Sequence, residues 1–134
     1  MINVKILDTI ITDMQLGKAA GIDNLSAEHL KYGHPVLLCI LSKVFNLMLL
    51  YSYVPDAFGI GLTVPLPKHD TVCKLVSASD YRGITISPVI SKLFEHCLAR
   101  CFNSYLGSSE LQFGFKQGYG CNHAIYSVHS SFNS

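Results

Sequence analysis

The residues predict an α+β chain, rich in helix, with one short antiparallel β-hairpin, and three observations predict it. Apolar residues recur at helical spacing in two stretches, first at Val4, Leu7, Ile10, Ile11 and Met14. The second is the clearest helix of the chain, whose Val89, Ile90, Leu93, Phe94, Cys97, Leu98, Cys101, Phe102 and Tyr105 form one face. Between them, Pro55, Pro65 and Pro67 forbid a long helix and bracket Phe58-Gly59-Ile60-Gly61-Leu62-Thr63-Val64, whose composition suits a strand.

In chain order, the first helix stops at Gly17, and a loop follows over 18–24. Ser26 caps a short second helix, Glu28 complements its positive end, and Gly33 closes it. Pro35 then opens a long apolar helix to about Tyr51. Over 32–55 its only charge is Lys43, which raises a membrane-anchor reading for 35–52. Ser42, Lys43 and Asn46 share one helical face, however, and that stripe favours a core helix with one wet edge.

Lys68 stands just past the first strand of the hairpin. Residues 69–80 are small and polar enough for its loop, and Tyr81-Arg82-Gly83-Ile84-Thr85-Ile86 returns as the second strand. Ser87 as cap and Pro88 in the first turn start the next helix, expected to run over 87–106 and to end before Gly107. A glycine-rich aromatic loop over 112–120 leads to a last helix from Asn122 to about Val128.

Composition narrows the functions. The 134 residues suffice for one domain at most, 49% are hydrophobic, and the net charge is +1. Only 14% are charged, below the roughly 25% of a typical soluble domain, so apolar surface is expected to await a covering partner. Residues 1–67 carry 4 basic and 5 acidic side chains, and 68–134 carry 6 and 4, so any polyanion site must be local. The opening residues lack the pattern of a signal peptide, and an intracellular, reduced chain is expected. The five cysteines, Cys39, Cys73, Cys97, Cys101 and Cys121, show no CxxC spacing and do not suggest a disulfide framework.

Several chemistries compete for the polar residues. Cys97 and Cys101 stand one helical turn apart and, with His96, Cys121 and His123, invite a zinc site, but both thiols lie on an apolar stripe and burial is the favoured reading. Neither a nucleophile elbow nor a strand–GxGxxG–helix order is present. Lys68 and Arg82, one at each base of the hairpin, are the cations that such a hairpin would bring together, and paired cations can grip a triphosphate. Solvated strand-end charges are the plainer alternative.

The order of segments carries more. Lys18-Ala19-Ala20-Gly21-Ile22-Asp23-Asn24-Leu25-Ser26-Ala27-Glu28-His29-Leu30-Lys31, Val64-Pro65-Leu66-Pro67-Lys68, Asp80-Tyr81-Arg82-Gly83-Ile84-Thr85-Ile86 with Val89-Ile90-Ser91-Lys92-Leu93-Phe94-Glu95, and Gln112-Phe113-Gly114-Phe115-Lys116-Gln117-Gly118 with His123-Ala124-Ile125 follow one another. In that order they resemble the start of the reverse transcriptase domain of LINE-type, non-LTR retrotransposons. Ala20 and Gly83 replace prolines usual in that family, and Asn24 replaces a glycine, a change compatible with a turn because Asn tolerates positive φ.

The resemblance implies a partial right-hand polymerase fold, the fingers plus the first palm helices. Residues 59–86 would be the fingers hairpin, 87–106 a long helix, and 111–134 the start of the palm. It further implies Lys68 and Arg82 as contacts of the incoming nucleotide, and Gln112, Phe113 and Lys116 as template-side contacts. RNA template, DNA primer and dNTP would be the partners, together with missing palm and thumb segments. The family's Mg²⁺ belongs to a domain with palm carboxylates, whereas after Asp80 the only acids are Glu95 and Glu110. The expectation is therefore a segment truncated before the catalytic aspartates, with no catalytic residue, no metal ligand and no cofactor of its own, and inactive alone. A non-catalytic nucleotide- or nucleic-acid-binding remnant, and a small membrane protein anchored by 35–52, stay open beside it.

Overall fold

A computed structural model describes residues 1–68, 77–107, 109, 112–114, 116 and 118–132. The chain forms two compact units, Met1–Cys101 and Phe102–Ser134. The first unit holds four helices and the hairpin: α1 (Val4–Asp13), α2 (Ala27–Lys31), α3 (Val36–Leu50), β1 (Leu62–Pro67), β2 (Tyr81–Ile86) and α4 (Val89–Cys101). The second holds α5 (Cys121–Phe132).

Asn3 fixes the start of α1, its backbone extended and its side chain accepting the Ile6 N–H at 2.9 Å. The helix then buries Leu7, Ile10 and Ile11, as the spacing predicts. Beyond it, the loop turns at Asn24, a non-glycine residue at φ 57°, with the Asn24 N–H on the Gly21 carbonyl at 3.1 Å. The turn thus takes the left-handed conformation that Asn permits. Glu28 bonds the Gly17 N–H from α2, so it serves the loop rather than only the helix end. Lys31 likewise reaches back to the Thr12 carbonyl at 3.1 Å, supplying a donor to a terminal carbonyl of α1.

α3 corrects one expectation. Ser42 and Asn46 are not a wet edge, because both are half-buried and bond the backbone of Ile2, and of the three polar residues only Lys43 is exposed. The helix buries Leu41, Phe45 and Met48, while Val36, Ile40, Val44, Leu47 and Leu50 remain exposed. Among the described residues no helix is long and apolar enough to cross a membrane. At about 1.5 Å per residue, the 15 residues of α3 reach short of a roughly 30 Å hydrocarbon core.

The core gathers α1, α3 and α4, with the Phe94 ring 5.0 Å from Phe45 and 6.2 Å from Phe58. Phe58 belongs to a 3-10 turn over Asp56–Gly59, so β1 starts later than the expected Phe58. α4 begins with the Pro88 carbonyl accepting from Lys92 N–H, and buried Ser91 bonds that same carbonyl at 3.0 Å. It ends at Cys101 rather than at 106. Phe102 and Tyr105 belong to the other unit, where both are exposed, and the Phe102 carbonyl takes the Tyr105 N–H in a turn.

β1 and β2 pair antiparallel from Leu62↔Ile86 to Pro67↔Tyr81. Most of the expected loop, 69–76, lies outside the described residues. Its end is a 3-10 turn over Ala78–Asp80, in which Asp80 accepts the Ser77 N–H at 3.1 Å. The ladder continues with the Lys68 N–H on the Asp80 carbonyl at 2.8 Å. Because bonded pairs alternate, Pro65 and Pro67 fall at pairs whose N–H groups would point outward, so two prolines fit one strand without losing a rung.

Candidate functional site

The hairpin register settles where the two predicted cations stand. Leu66 faces Arg82 and Lys68 faces Asp80, so at a period of two Lys68 and Arg82 share one face at the loop end, as diagonal neighbours on opposite strands. Diagonal positions lie about 7–8 Å apart, within reach of one polyphosphate. Both side chains are exposed. Lys68 Nζ donates to the Ser79 carbonyl at 2.6 Å, which leans it along the 3-10 turn and leaves two N–H groups for a ligand. The Arg82 guanidinium has no hydrogen-bond or ion-pair partner among the described residues. Its planar fork matches two phosphate oxygens, and Lys68 adds a point charge. Leu62, Val64, Leu66 and Ile84 extend the same face as exposed apolar surface, a feature that alternation along the strands had made readable.

The second unit groups the other predicted residues differently. Phe113 packs 6.1 Å from Tyr119, and Lys116 Nζ sits 4.7 Å from the centroid of that same ring. His123, on the first turn of α5, stands 5.5 Å from Tyr119 and accepts the Gly120 N–H on Nδ1 at 3.2 Å. Phe113 and Lys116 therefore converge on Tyr119, which sequence reasoning passed over although Tyr119 and His123 are four residues apart. Gln112 instead turns its amide to the Gly114 carbonyl at 3.0 Å. Phe115 and Gln117 of the same motif lie outside the described residues.

The Asp80 carboxylate is occupied by the Ser77 N–H, Glu95 is exposed on α4, and Glu110 lies outside the described residues. Among the described residues no three His, Cys, Asp or Glu side chains converge as metal ligands. Cys97 is fully buried, and burial pushes its thiol up to about 11, with Cys101 adding to the effect, so it is protonated at neutral pH.

No protein-family profile matches the chain. It is 26% identical over 122 residues to a Drosophila melanogaster protein named probable RNA-directed DNA polymerase from transposon BS. That alignment takes in 88% of this chain and 13% of the relative, so the chain spans about an eighth of the relative's length. A distant relation to reverse transcriptases is what this similarity supports.

Proposed function

We propose that the chain is the fingers and early-palm segment of a reverse transcriptase of the LINE type, with a partial right-hand polymerase fold. In this reading Lys68 and Arg82 hold the phosphates of an incoming dNTP. Phe113 and Lys116, around Tyr119, contact the template strand by stacking and charge, with Gln112 beside them. The observation that carries the reading is the hairpin, which sets Lys68 and Arg82 on one exposed face within the stretch similar to a polymerase.

Cations on the β- and γ-phosphates stabilise the charge that develops on leaving pyrophosphate, so these residues bind and orient rather than transfer protons. Mg²⁺ would be supplied by palm carboxylates that the residues here do not provide, and the segment alone carries no polymerase activity. Calorimetric titration of dATP into the chain tests the binding claim. Arg82→Ala and Lys68→Ala are each expected to weaken binding about tenfold, in line with the loss of a charge-assisted bond. Unchanged affinity in both variants removes the nucleotide role, and primer extension by the chain with Mg²⁺ removes the claim of inactivity.

A further inference from the structure

The outer face of α3 belongs neither to the core nor to either cluster. Val36, Ile40, Val44 and Leu47, with Tyr51 at the C-cap, are all exposed and fall within about a quarter of the helix circumference. Leu50 and Lys43 flank this stripe, and Lys43 is its single charge. The helix packs inward through Leu41, Phe45 and Met48, so the stripe is a second apolar face rather than the margin of the first.

The stripe has relief. A hollow of about 260 Å³ opens over Val44, Leu47, Met48 and Tyr51 and is walled by Tyr53 and Pro55. The first four stand at i, i+3, i+4 and i+7, the diamond of positions that receives one side chain of a facing helix. Ile40, half exposed, projects about one turn before Val44, and the centre of the hollow lies about one turn beyond it.

A projection and a hollow set equally on either side of one point make the face complementary to itself. A two-fold axis through that point, between Lys43 and Val44, runs two α3 helices antiparallel. It seats each Ile40 in the other's hollow and sets each Val36 against the other's Tyr51. The stripe and Leu50 expose on the order of 600 Å² per copy, so a pair removes on the order of 1,200 Å², where specific interfaces begin. We propose that this face is a homodimer interface, its occupant a second copy of this chain. It is separate from the hairpin and does not depend on a nucleotide role for Lys68 and Arg82.

Sedimentation equilibrium of the full chain tests it. Ile40→Gln is expected to weaken the dimer at least about tenfold, since each dimer loses that side chain twice, while Ile22→Thr, at an exposed apolar residue of the loop after α1, leaves it unchanged. The axis also places Lys43 beside its own copy. A Lys43→Glu chain mixed with the original is therefore expected to form the mixed dimer in preference to either parent dimer, and native mass spectrometry with one chain ¹⁵N-labelled reads the proportions. Should Ile40→Gln lose the fold by circular dichroism, the Lys43→Glu mixture carries the test. A chain that stays monomeric at every soluble concentration overturns the proposal in favour of a different chain on this face. A dimer indifferent to Ile40→Gln, or weakened equally by Ile22→Thr, overturns it in favour of another surface, and random mixing with Lys43→Glu overturns it as well.

Discussion

Asn46 clamps Ile2 from both sides of its backbone, accepting the Ile2 N–H on Oδ1 at 3.0 Å and donating from Nδ2 to the Ile2 carbonyl at 2.6 Å. Ser42 donates to the same carbonyl at 2.9 Å. A segment ahead of α1 is thereby stitched to α3, with the Ile2 side chain in the core.

Replacing Asn46 by Leu leaves the Ile2 N–H without its acceptor and is expected to destabilise the first unit by about 1–3 kcal/mol. Ser42→Ala leaves the Asn46 bond to the carbonyl in place and is expected to cost about 1 kcal/mol or less. Urea unfolding of the two variants measures the difference, and equal effects would show that the clamp does not act through Asn46.

Gly61 meets Thr85 across the mouth of the hairpin. A Cβ there would stand 2.5 Å from Thr85 Cγ2, and that methyl is held in place because Thr85 Oγ1 bonds Thr63 Oγ1 at 2.9 Å. Gly61→Ala is therefore expected to cost about 1–2 kcal/mol. Thr85→Ser removes the methyl and keeps the hydroxyl, so the double variant should regain most of the loss. Amide exchange in β1 and β2 reads it, and a double variant as weak as Gly61→Ala alone would refute the steric account.

Cys97 makes stability depend on alkaline pH. Its folded thiol titrates near 11 against an ordinary value of 9.0, so the folded state holds its proton longer than the unfolded chain. The contribution is complete below about pH 9 and is lost as pH rises from there towards 11, by at most about 1.4 kcal/mol per pH unit. Cys97→Ala should flatten stability measured by urea unfolding over that window. At neutral pH iodoacetamide should modify exposed Cys39 and Cys121 well before Cys97.

Much of the fold was readable because periodicity reports which side of an element is apolar. The faces of α1 and α4, the apolar run of α3 and the strand Tyr81–Ile86 all follow from it. Periodicity does not report what consumes a polar group: Ser42 and Asn46 looked like a solvated edge because their partner, Ile2, is forty or more residues away in sequence. Helix ends are similarly local to packing, and α4 stops where the apolar stripe leaves its unit. Lys68 and Arg82 could be paired in advance because a hairpin fixes register. Tyr119 as the centre of the second cluster needed the loop to be seen.

Pro65 and Pro67 give the two-stranded sheet unequal borders. Along β1 the outward positions at both prolines have no N–H to offer, so another extended chain finds few donors there. Along β2 the corresponding outward groups belong to Tyr81, Gly83 and Thr85; the Ala78 carbonyl takes the Tyr81 N–H, and Gly83 and Thr85 offer theirs. Strand addition to this molecule, whether by a neighbouring segment or in self-association, is thus directed to the β2 side, and a proline at Gly83 would close that border as well.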